Sequence, residues 1–497
     1  MRQKRINSER QREYSPKMSR IKEKWNNMPR AVKAATAYTI CSFLQQGVSF
    51  ITLPLFTRLM TKAEYGQVTV YLSWQGIIQI LLTLNLAYGS FSTAMMKFED
   101  DRKGYIASVE GICMALSVFF LAIYLPFHSL WNELFKLPTG IMCLMLVEML
   151  SMTAILLWSG KLRFEYKFVS VVIVTLLIAF VSPVIQYFMV INSEEKGYAR
   201  IIGASVMNIL VGGFVFILNI IRGRKKLFHK PYWRYALVFN VPLLAYYLSQ
   251  VVFNQSDRIM ISHMQGEDKA AVYGVAYSFA MLLTFVLNAI NNSYVPWFYE
   301  KLKEGREEDD RPVSLGIAAL MAVLVSGVIW FAPEIILIMA GSKYMEAVYV
   351  VPPVSISLIL LLYSQFFINV EFYYEERKSL VWASIGAAVL NLATNWIFIR
   401  MFGYVAAAYT TLASYLVFAF ANYLAMKKVL AKRGMQDRAY DYKGLIWLFI
   451  VFTVLSAVGA ALYPVLPARL GVVAAALIVV IIKRQKVMEF LQVIIRR

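Results

Sequence analysis

Residues 50–74 read FITLPLFTRLMTKAEYGQVTVYLSW, and residues 253–280 read FNQSDRIMISHMQGEDKAAVYGVAYSFA. The two stretches share one order of features: an apolar helix, Arg-Leu/Ile-Met, Lys-Ala, Tyr-Gly and a second apolar helix. Tyr65-Gly66 and Tyr273-Gly274 lie 208 residues apart. Internal repeats of membrane segments are typical of transporters, in which the substrate site lies between the repeats.

The composition is that of a membrane protein. Hydrophobic residues make up 59% of the chain and charged residues 16%, whereas soluble domains average roughly 45–50% and about 25%. The mean hydropathy is +0.58. A soluble core cannot hide this much apolar surface, so we expect an all-α integral membrane protein.

Long apolar segments recur along the whole sequence. A hydrocarbon core about 30 Å thick needs about 20 apolar residues per helix, which predicts fourteen transmembrane helices. The predicted spans are 31–57, 67–96, 105–127, 138–158, 167–191, 198–221, 235–256, 270–298, 312–332, 346–368, 378–400, 404–426, 444–463 and 466–482. The last two, within 444–482, form either a hairpin or one broken span.

The basic residues predict the orientation. With the N-terminus in the cytoplasm, 39 of the 50 lysines and arginines fall on cytoplasmic segments, as the positive-inside rule requires. We therefore expect a multi-pass membrane protein with both termini in the cytoplasm. The net charge of +20 is then a topology signal and not a nucleic-acid footprint. The basic tails are 1–30 and 483–497; the first is expected to lie on anionic lipid or to dock a partner.

The repeat extends beyond the opening stretch. Gly197-Tyr198 and Gly403-Tyr404 each open a span and lie 206 residues apart. Each half holds six spans, and six is an even number, so the halves enter the membrane the same way round. We expect a six-helix bundle at 31–221, a basic linker at 222–234, a second bundle at 235–427 and an extra helix pair at 444–482.

Polar side chains form stripes on spans one and seven. Tyr38, Ser42, Gln45, Ser49 and Thr52 are spaced by three or four residues, and so are most of Asn240, Tyr247, Gln250, Asn254 and Asp257. A polar stripe in lipid must face other helices or water. The stripes predict either two walls of a cavity or interhelical hydrogen bonds. The candidate cavity residues are Gln45, Ser49, Tyr247, Gln250 and Asn254, with Gln75, Asn288 and Asn291 from neighbouring spans.

Few full charges lie within the spans. Glu148 is near the middle of span four, where an ionised carboxylate costs about 2.5–3.5 kcal/mol on insertion scales. Glu148 and Asp257 are therefore candidates for ion or proton coupling, although a structural glutamate fits equally. Arg58 and Arg258 either reach the outer headgroups or converge on an anion, since a guanidinium binds phosphate in a bidentate manner. Asp257 would orient one arginine, and Lys33 would be an inner cation.

Several function classes find no support in the sequence. It lacks a phosphate-binding loop, a clustered metal-ligand set and a disulfide framework, so we expect no cofactor and no metal. The outer loops are short, which argues against an enzyme acting at the outer face.

Three stretches, LPLFTRLMTKAEYG, SDRIMISHM and AVYGVAYSF, resemble those of bacterial polysaccharide-biosynthesis flippases in the multidrug/oligosaccharidyl-lipid/polysaccharide exporter superfamily. The resemblance covers the whole chain. It implies two six-helix bundles around a V-shaped central cavity, and transfer of a polyprenyl-diphosphate-linked oligosaccharide between leaflets by alternating access. It also implies a location in the bacterial cytoplasmic membrane. Relatives often carry several cavity cations, a pattern matched here only by Arg58 and Arg258, with Lys33 as a third candidate.

Two other functions remain open on the sequence: a drug or organic-cation antiporter of the same superfamily, and a membrane enzyme of polysaccharide assembly. An antiporter would favour acidic residues in the cavity. For the flippase, the expected partners are the lipid-linked oligosaccharide, membrane lipids, a polysaccharide polymerase and glycosyltransferases.

Overall fold

The computed structural model describes residues 28–376 and 378–482, so the predicted tails 1–30 and 483–497 lie almost wholly outside the described residues. Within the described part there are eighteen α-helices and no strand. The first nine are α1 (Arg30–Leu59), α2 (Lys62–Thr83), α3 (Phe91–Lys97), α4 (Arg102–Tyr124), α5 (His128–Phe135), α6 (Thr139–Phe164), α7 (Phe168–Ile191), α8 (Lys196–Arg222) and α9 (Lys230–Asn240). The others are α10 (Leu244–Gln265), α11 (Glu267–Glu304), α12 (Asp310–Trp330), α13 (Ala332–Met339), α14 (Val351–Tyr373), α15 (Lys378–Phe402), α16 (Val405–Lys432), α17 (Tyr442–Ala461) and α18 (Leu466–Ile482). The all-α membrane fold is confirmed.

The count of fourteen transmembrane helices stays a prediction. Among the described residues, twelve segments are long and apolar enough to cross a membrane. Helix α2 has 22 residues but is not among the twelve. Within α18, the apolar segment Leu466–Ala475 is too short to be counted among the twelve. The polarity of α2 is tolerated because the helix packs against α8, α10 and α11.

The predicted second span, 67–96, is interrupted. Helix α2 ends at Thr83, and Leu84 and Asn85 then adopt the left-handed region with φ of 47° and 54°. The Asn85 carbonyl accepts the N–H groups of Tyr88 and Gly89, at 3.1 and 2.9 Å, and closes a turn before α3. The apolar composition alone gave no sign of this turn.

The two striped spans differ at their prolines. Pro54 lies inside an unbroken α1, whereas Pro242 lies in a 3-10 turn, Val241–Leu243, that separates α9 from α10. A proline removes a backbone donor and obstructs the preceding turn. At the break, the Asn240 side chain donates to the Ser90 hydroxyl at 2.8 Å. The predicted span seven is thus two helices joined by a turn.

Two helices from the two copies of the repeat pack against each other. Helix α2 begins just before Tyr65-Gly66, and α11 just before Tyr273-Gly274. A Cβ atom added at Gly66 would lie 2.2 Å from the Glu267 carbonyl oxygen. Only glycine permits so close an approach to another backbone. The large buried core extends from this contact through α11, α12 and α14.

The last two helices are separate. Helix α17 packs against α12, and Gly459 of α17 lies directly on the Trp330 ring, where a Cβ atom would come within 2.8 Å. A turn then leads to α18, which begins at Leu466. The division into six-helix bundles at 31–221 and 235–427 stays a prediction.

Candidate functional site

A cavity of about 690 Å³ lies between α1, α2, α7 and α8 of the first half and α10 and α11 of the second. Met152 of α6 also lines it. Its polar lining consists of Gln45, Gln46, Ser49, Thr52, Tyr65, Thr69, Ser182, Gln186, Arg200, Asn208, Gln255, Arg258, Tyr277 and Ser278. Among the described residues, no aspartate, glutamate or lysine lines it. The cavity therefore combines neutral hydrogen-bonding groups with two cations.

Arg258 is held against the second-half wall of the cavity. Its guanidinium carbon lies 3.9 Å from the centroid of the Tyr277 ring, and its Nη1 donates to Gln255. The residue is 9% exposed. Arg258 is three residues beyond Gln255, so the two project from one face of α10.

Arg200 is the cation of the first-half wall. Its guanidinium carbon lies 4.4 Å from the Phe56 ring centroid and 5.0 Å from that of Tyr65. Its Nη1 is buried and has no hydrogen-bond partner among the described residues. Neither Arg200 nor Arg258 forms an ion pair within the described part of the chain. Two guanidinium groups thus face one cavity without a carboxylate.

The span-one stripe is divided. Gln45, Ser49 and Thr52 line the cavity, as predicted for the first two, whereas Tyr38 lies elsewhere, beneath the Arg163 guanidinium at 4.9 Å. The cavity wall of α1 is therefore its second half.

The span-seven stripe lies beside the cavity and is absent from its lining, although the lining residue Tyr277 donates to Asn254 at 3.3 Å. Gln250 donates to Ser384 at 2.8 Å, and the Asn254 side-chain oxygen accepts from Tyr415 at 3.0 Å. Asp257 projects from the same face of α10 as Gln250 and Asn254. Since successive helical residues are rotated by about 100°, this face lies beside the Gln255–Arg258 face. Gln250 and Asn254 are not among the cavity-lining residues and form interhelical hydrogen bonds, the alternative that the sequence left open; their role in substrate binding stays a prediction.

Arg58 does not join Arg258 at the cavity. Its Nη2 donates to the Ile338 carbonyl at 3.0 Å, in an exposed position. Arg58 and Ser49 are nine residues apart and so project from opposite faces of α1. Arg58 also lies one residue from the end of its helix, whereas Arg258 lies seven residues from the end of α10. At a rise of 1.5 Å per residue, Arg258 is placed about 10 Å deeper from its helix end than Arg58.

The other predicted residues lie off the cavity lining. Asn288 is exposed, and Asn291 donates to Gln365 of α14. Tyr247 is half-buried beside Tyr246, and Lys33 is in the first turns of α1, also half-buried. Their positions do not bring them to the two arginines.

Glu148 is enclosed by hydrogen-bond donors. The carboxylate is 4% exposed and accepts from four side chains at 2.7–2.9 Å: Tyr71, Gln75, Ser205 and Asn208. A carboxylate that accepts several hydrogen bonds is satisfied without a cation. Because Asn208 also lines the cavity, this cage touches the candidate site through one residue.

Asp257 has a similar cage in the second half. It is 2% exposed and accepts from Tyr273 at 2.5 Å, Asn395 at 2.6 Å and Thr411 at 2.8 Å. Thr411 lies 206 residues after Ser205, which is the offset between Gly197 and Gly403. Repeat-equivalent hydroxyls of α8 and α16 therefore each donate to a buried carboxylate.

One end of the first half is fastened to a segment of the second. We call residues 332–349, which comprise α13 and the 3-10 helix Ser342–Tyr349, the strap. The Thr57 hydroxyl donates to the Met339 carbonyl at 3.2 Å. Lys343 donates to the Met60 carbonyl at 2.5 Å. The strap thus holds the corner between α1 and α2.

Glu346 of the strap adds an ionic contact between the halves. It lies 3.7 Å from Lys62 and 2.5 Å from Lys269, and Tyr404 donates to it at 3.2 Å. The hydrogen bond from Lys269, aided by the charges of both lysines, holds the pKa of Glu346 below the usual range for a glutamate. The contact is therefore ionic at neutral pH.

Sequence reasoning missed Arg200 and Gln255. Arg200 follows Lys196 in a short polar segment and so reads as a headgroup-level cation. One signal was available: Arg200 lies eight residues before Asn208, so both project from neighbouring faces of one helix. Gln255 stands immediately after the stripe residue Asn254 and could have been grouped with Arg258.

A family profile described as "Polysaccharide biosynthesis protein" matches residues 31–302. The Lsg locus putative protein 1 of Haemophilus influenzae is 20% identical over 378 residues, which cover 73% of this chain and 90% of that protein. The matched region of the profile includes α1 to α11 up to Leu302, and hence every helix that lines the cavity.

Two solved structures share the fold. The lipid II flippase MurJ in its inward closed conformation aligns with a TM-score of 0.66 at 12% identity, over 87% of this chain and 98% of that chain. An inward-facing multidrug resistance MATE family transporter of the MOP superfamily aligns with a TM-score of 0.63 at 14% identity, over 81% and 100%. At such identities the likeness establishes the fold.

Proposed function

Because the chain belongs to the polysaccharide biosynthesis protein family, we propose that it is a flippase that moves a polyprenyl-diphosphate-linked oligosaccharide across the bacterial cytoplasmic membrane. The observation that carries this proposal is the pairing of Arg200 and Arg258 on a cavity whose described lining holds no acidic residue. The oligosaccharide and the diphosphate occupy the cavity while the polyprenyl tail stays in lipid.

The charges of the cavity suit a diphosphate. A cation within a membrane costs free energy unless a counter-charge or water compensates it. Arg200 has a buried, unpartnered Nη1, and Arg258 has no carboxylate within ion-pair distance among the described residues. A diphosphate supplies two or more negative charges and acceptor oxygens that match the guanidinium fork. Binding the head would therefore satisfy both arginines.

The remaining lining suits a sugar. Hydroxyls and amides of Gln45, Ser49, Gln186 and Gln255 offer neutral donors and acceptors, and the tyrosine rings offer flat apolar faces. Moving such a polar head through hydrocarbon without these partners carries a large desolvation cost. The cavity replaces water around the head during transfer.

Transfer by alternating access requires the two halves to separate at one end and then at the other. We assign both termini to the cytoplasm and the strap to the outer end of the protein. The lysines and arginines around the strap are those that the charge distribution predicts to be outside. In the conformation described, the contacts of Thr57 and Glu346 keep this end together. The strap must release the α1–α2 corner before the head can leave.

Glu148 and Asp257 are the candidates for coupling transfer to an ion or proton gradient. Glu148 shares Asn208 with the cavity lining, and Asp257 directly precedes Arg258. If either carboxyl group is protonated, its O–H becomes a hydrogen-bond donor, so a surrounding hydroxyl that now donates must accept instead, which changes the cage. Glycosyltransferases and a polysaccharide polymerase are the proposed partners that supply and consume the substrate.

Equilibrium binding to the purified full chain tests the substrate class. We expect binding of a polyprenyl-diphosphate oligosaccharide, weaker binding of the corresponding monophosphate, and no competition by organic cations. Tight binding of an organic cation together with no binding of the diphosphate would instead identify a drug antiporter and would refute the proposal.

A further inference from the structure

A second polar pocket, of about 470 Å³, lies away from the cavity and shares no residue with it. It is formed where three predicted cytoplasmic segments meet: 99–103 at the start of α4, Glu165 after α6, and 222–226 at the end of α8. Charged side chains make up the lining among the described residues. The pocket therefore gathers charge from three separate parts of the first half.

The acidic residues of the pocket are largely paired. Arg102 lies 3.2 Å from Glu99, and Lys226 lies 2.7 Å from Asp101. Lys167, at the rim, lies 2.7 Å from Glu165. Only Asp100 lacks a cationic partner within the described part of the chain.

Three cations of the pocket have no acidic partner. Lys103, Arg222 and Arg224 line it, and none of their side chains forms a hydrogen bond or an ion pair with any described residue. The backbone conformation at 223–224 sets where Arg222 and Arg224 lie. Gly223 is buried, and a Cβ atom there would come within 2.5 Å of the Ala107 side chain. Arg224 then adopts φ of +56°, a region that costs free energy for any residue except glycine.

A buried lysine adds to the positive field. Lys161 is 5% exposed, and its side chain forms no hydrogen bond or ion pair with the described residues. It interacts electrostatically with Glu165, Lys103 and Arg222. Burial raises the pKa of Glu165, but the hydrogen bond from Lys167 and the charge of Lys161 outweigh burial and hold that pKa below its usual range. The single negative charge of Glu165 is thus shared by Lys161 and Lys167 and cannot neutralise both.

The geometry points to a phosphate-binding site in this pocket, in which Arg222 and Arg224 bind a phosphate group and the buried Lys161 contributes positive charge from outside the lining. Guanidinium groups without acidic partners favour planar phosphate recognition. Basic pockets at the cytoplasmic side of transmembrane helices bind anionic lipid headgroups, and a soluble phosphate ester presents the same chemistry. The site is independent of the substrate cavity.

Two probes, applied to the purified full chain, distinguish a soluble phosphate ester from a lipid headgroup as the ligand of the pocket. Inorganic pyrophosphate is titrated calorimetrically against the protein in nanodiscs of phosphatidylcholine. Native mass spectrometry then counts phosphatidylglycerol retained from mixed nanodiscs. The test variant is Arg222→Gln/Arg224→Gln. The matched control, Lys303→Gln/Lys428→Gln, removes two exposed cations from predicted cytoplasmic segments of the second half.

Wild type is expected to bind one of the probes, and the test variant to bind it at least about tenfold more weakly, while the control keeps the wild-type affinity. Pyrophosphate binding would assign a soluble ligand, and lipid retention would assign a headgroup. The inference is overturned if wild type binds neither probe, or if the control loses as much affinity as the test variant. Both substituted arginines are exposed, and elution as a single monodisperse peak verifies folding.

Discussion

Gly274 of α11 lies directly on Thr69 of α2, so close that a Cβ atom on the glycine would come within 2.7 Å of the threonine methyl group. The glycine of the other copy of the repeat makes the equivalent kind of contact, against the backbone of Glu267. The Tyr-Gly pair that the sequence repeats is thus the point at which the two repeat-related helices touch.

Gly66→Ala should therefore destabilise the protein. The new methyl group would overlap the Glu267 carbonyl oxygen, and overpacking of this kind costs about 1–3 kcal/mol. The midpoint of thermal unfolding in detergent measures the loss. Gly47→Ala is the control, since nothing lies within 4 Å of a Cβ atom there; equal midpoints for the two variants would contradict the close contact.

Locking the strap should stop transport. In a background without Cys41, Cys113 and Cys143, the pair Thr57→Cys/Met339→Cys is expected to form a disulfide on oxidation, because the Thr57 hydroxyl already meets the Met339 backbone. Transfer in proteoliposomes should cease after oxidation and return after reduction. Thr57→Cys alone is the control, and undiminished transfer by the cross-linked protein would show that this end does not open.

The ionic contact of the strap should depend on pH. Because the pKa of Glu346 is lowered in the folded protein, its contribution is present above the unfolded pKa of about 4.3 and is lost as the pH falls through the folded value. Such exposed pairs contribute about 0–1 kcal/mol. Glu346→Gln should lower the unfolding midpoint slightly at pH 7 and have no effect in strong acid; a difference that persists in acid would exclude the ion pair as the cause.

The caged carboxylates should govern the response to a proton gradient. If they couple transfer to proton movement, Asp257→Asn and Glu148→Gln should reduce the acceleration that an imposed pH gradient produces in wild type. Glu371→Gln is the control, because Glu371 is equally buried, at 1% exposure, but accepts a hydrogen bond from Ser379, which does not line the cavity. A full response in both test variants would leave the cages a purely structural role.

The sequence predicted the all-α membrane fold because length and hydropathy depend only on composition along each segment. It did not predict the turn at Leu84, because the apolar run continues through 84–88 and outweighed the turn-favouring residues Asn85 and Gly89. The polarity of α2 likewise became interpretable only through its neighbours α8, α10 and α11.

The site was predicted in part. Arg258, Gln45 and Ser49 do line the cavity. The pairing of Arg58 with Arg258 followed from their place in the repeated phrase, but Arg58 precedes Tyr65 by seven residues and Arg258 precedes Tyr273 by fifteen. The difference of eight residues is about two helical turns, enough to move one arginine to the helix end. The second arginine of the cavity is instead Arg200 of α8. Because α8 and α10 are separate segments of the chain, no local sequence pattern predicts that Arg200 and Arg258 line the same cavity.

Substrate transfer by the variant Arg200→Gln/Arg258→Gln is the most direct test of the central claim. The measurement follows a polyprenyl-diphosphate oligosaccharide across proteoliposome membranes, with Arg400→Gln as the control because Arg400 also lies over an aromatic ring, 3.6 Å from Trp396, but off the cavity. Charged hydrogen bonds contribute about 1.5–3 kcal/mol each. The transfer rate of the double variant should therefore be at least about a hundredfold below that of wild type, while the control transfers at the wild-type rate. Transfer at the wild-type rate by the double variant would contradict a diphosphate site formed by these two arginines.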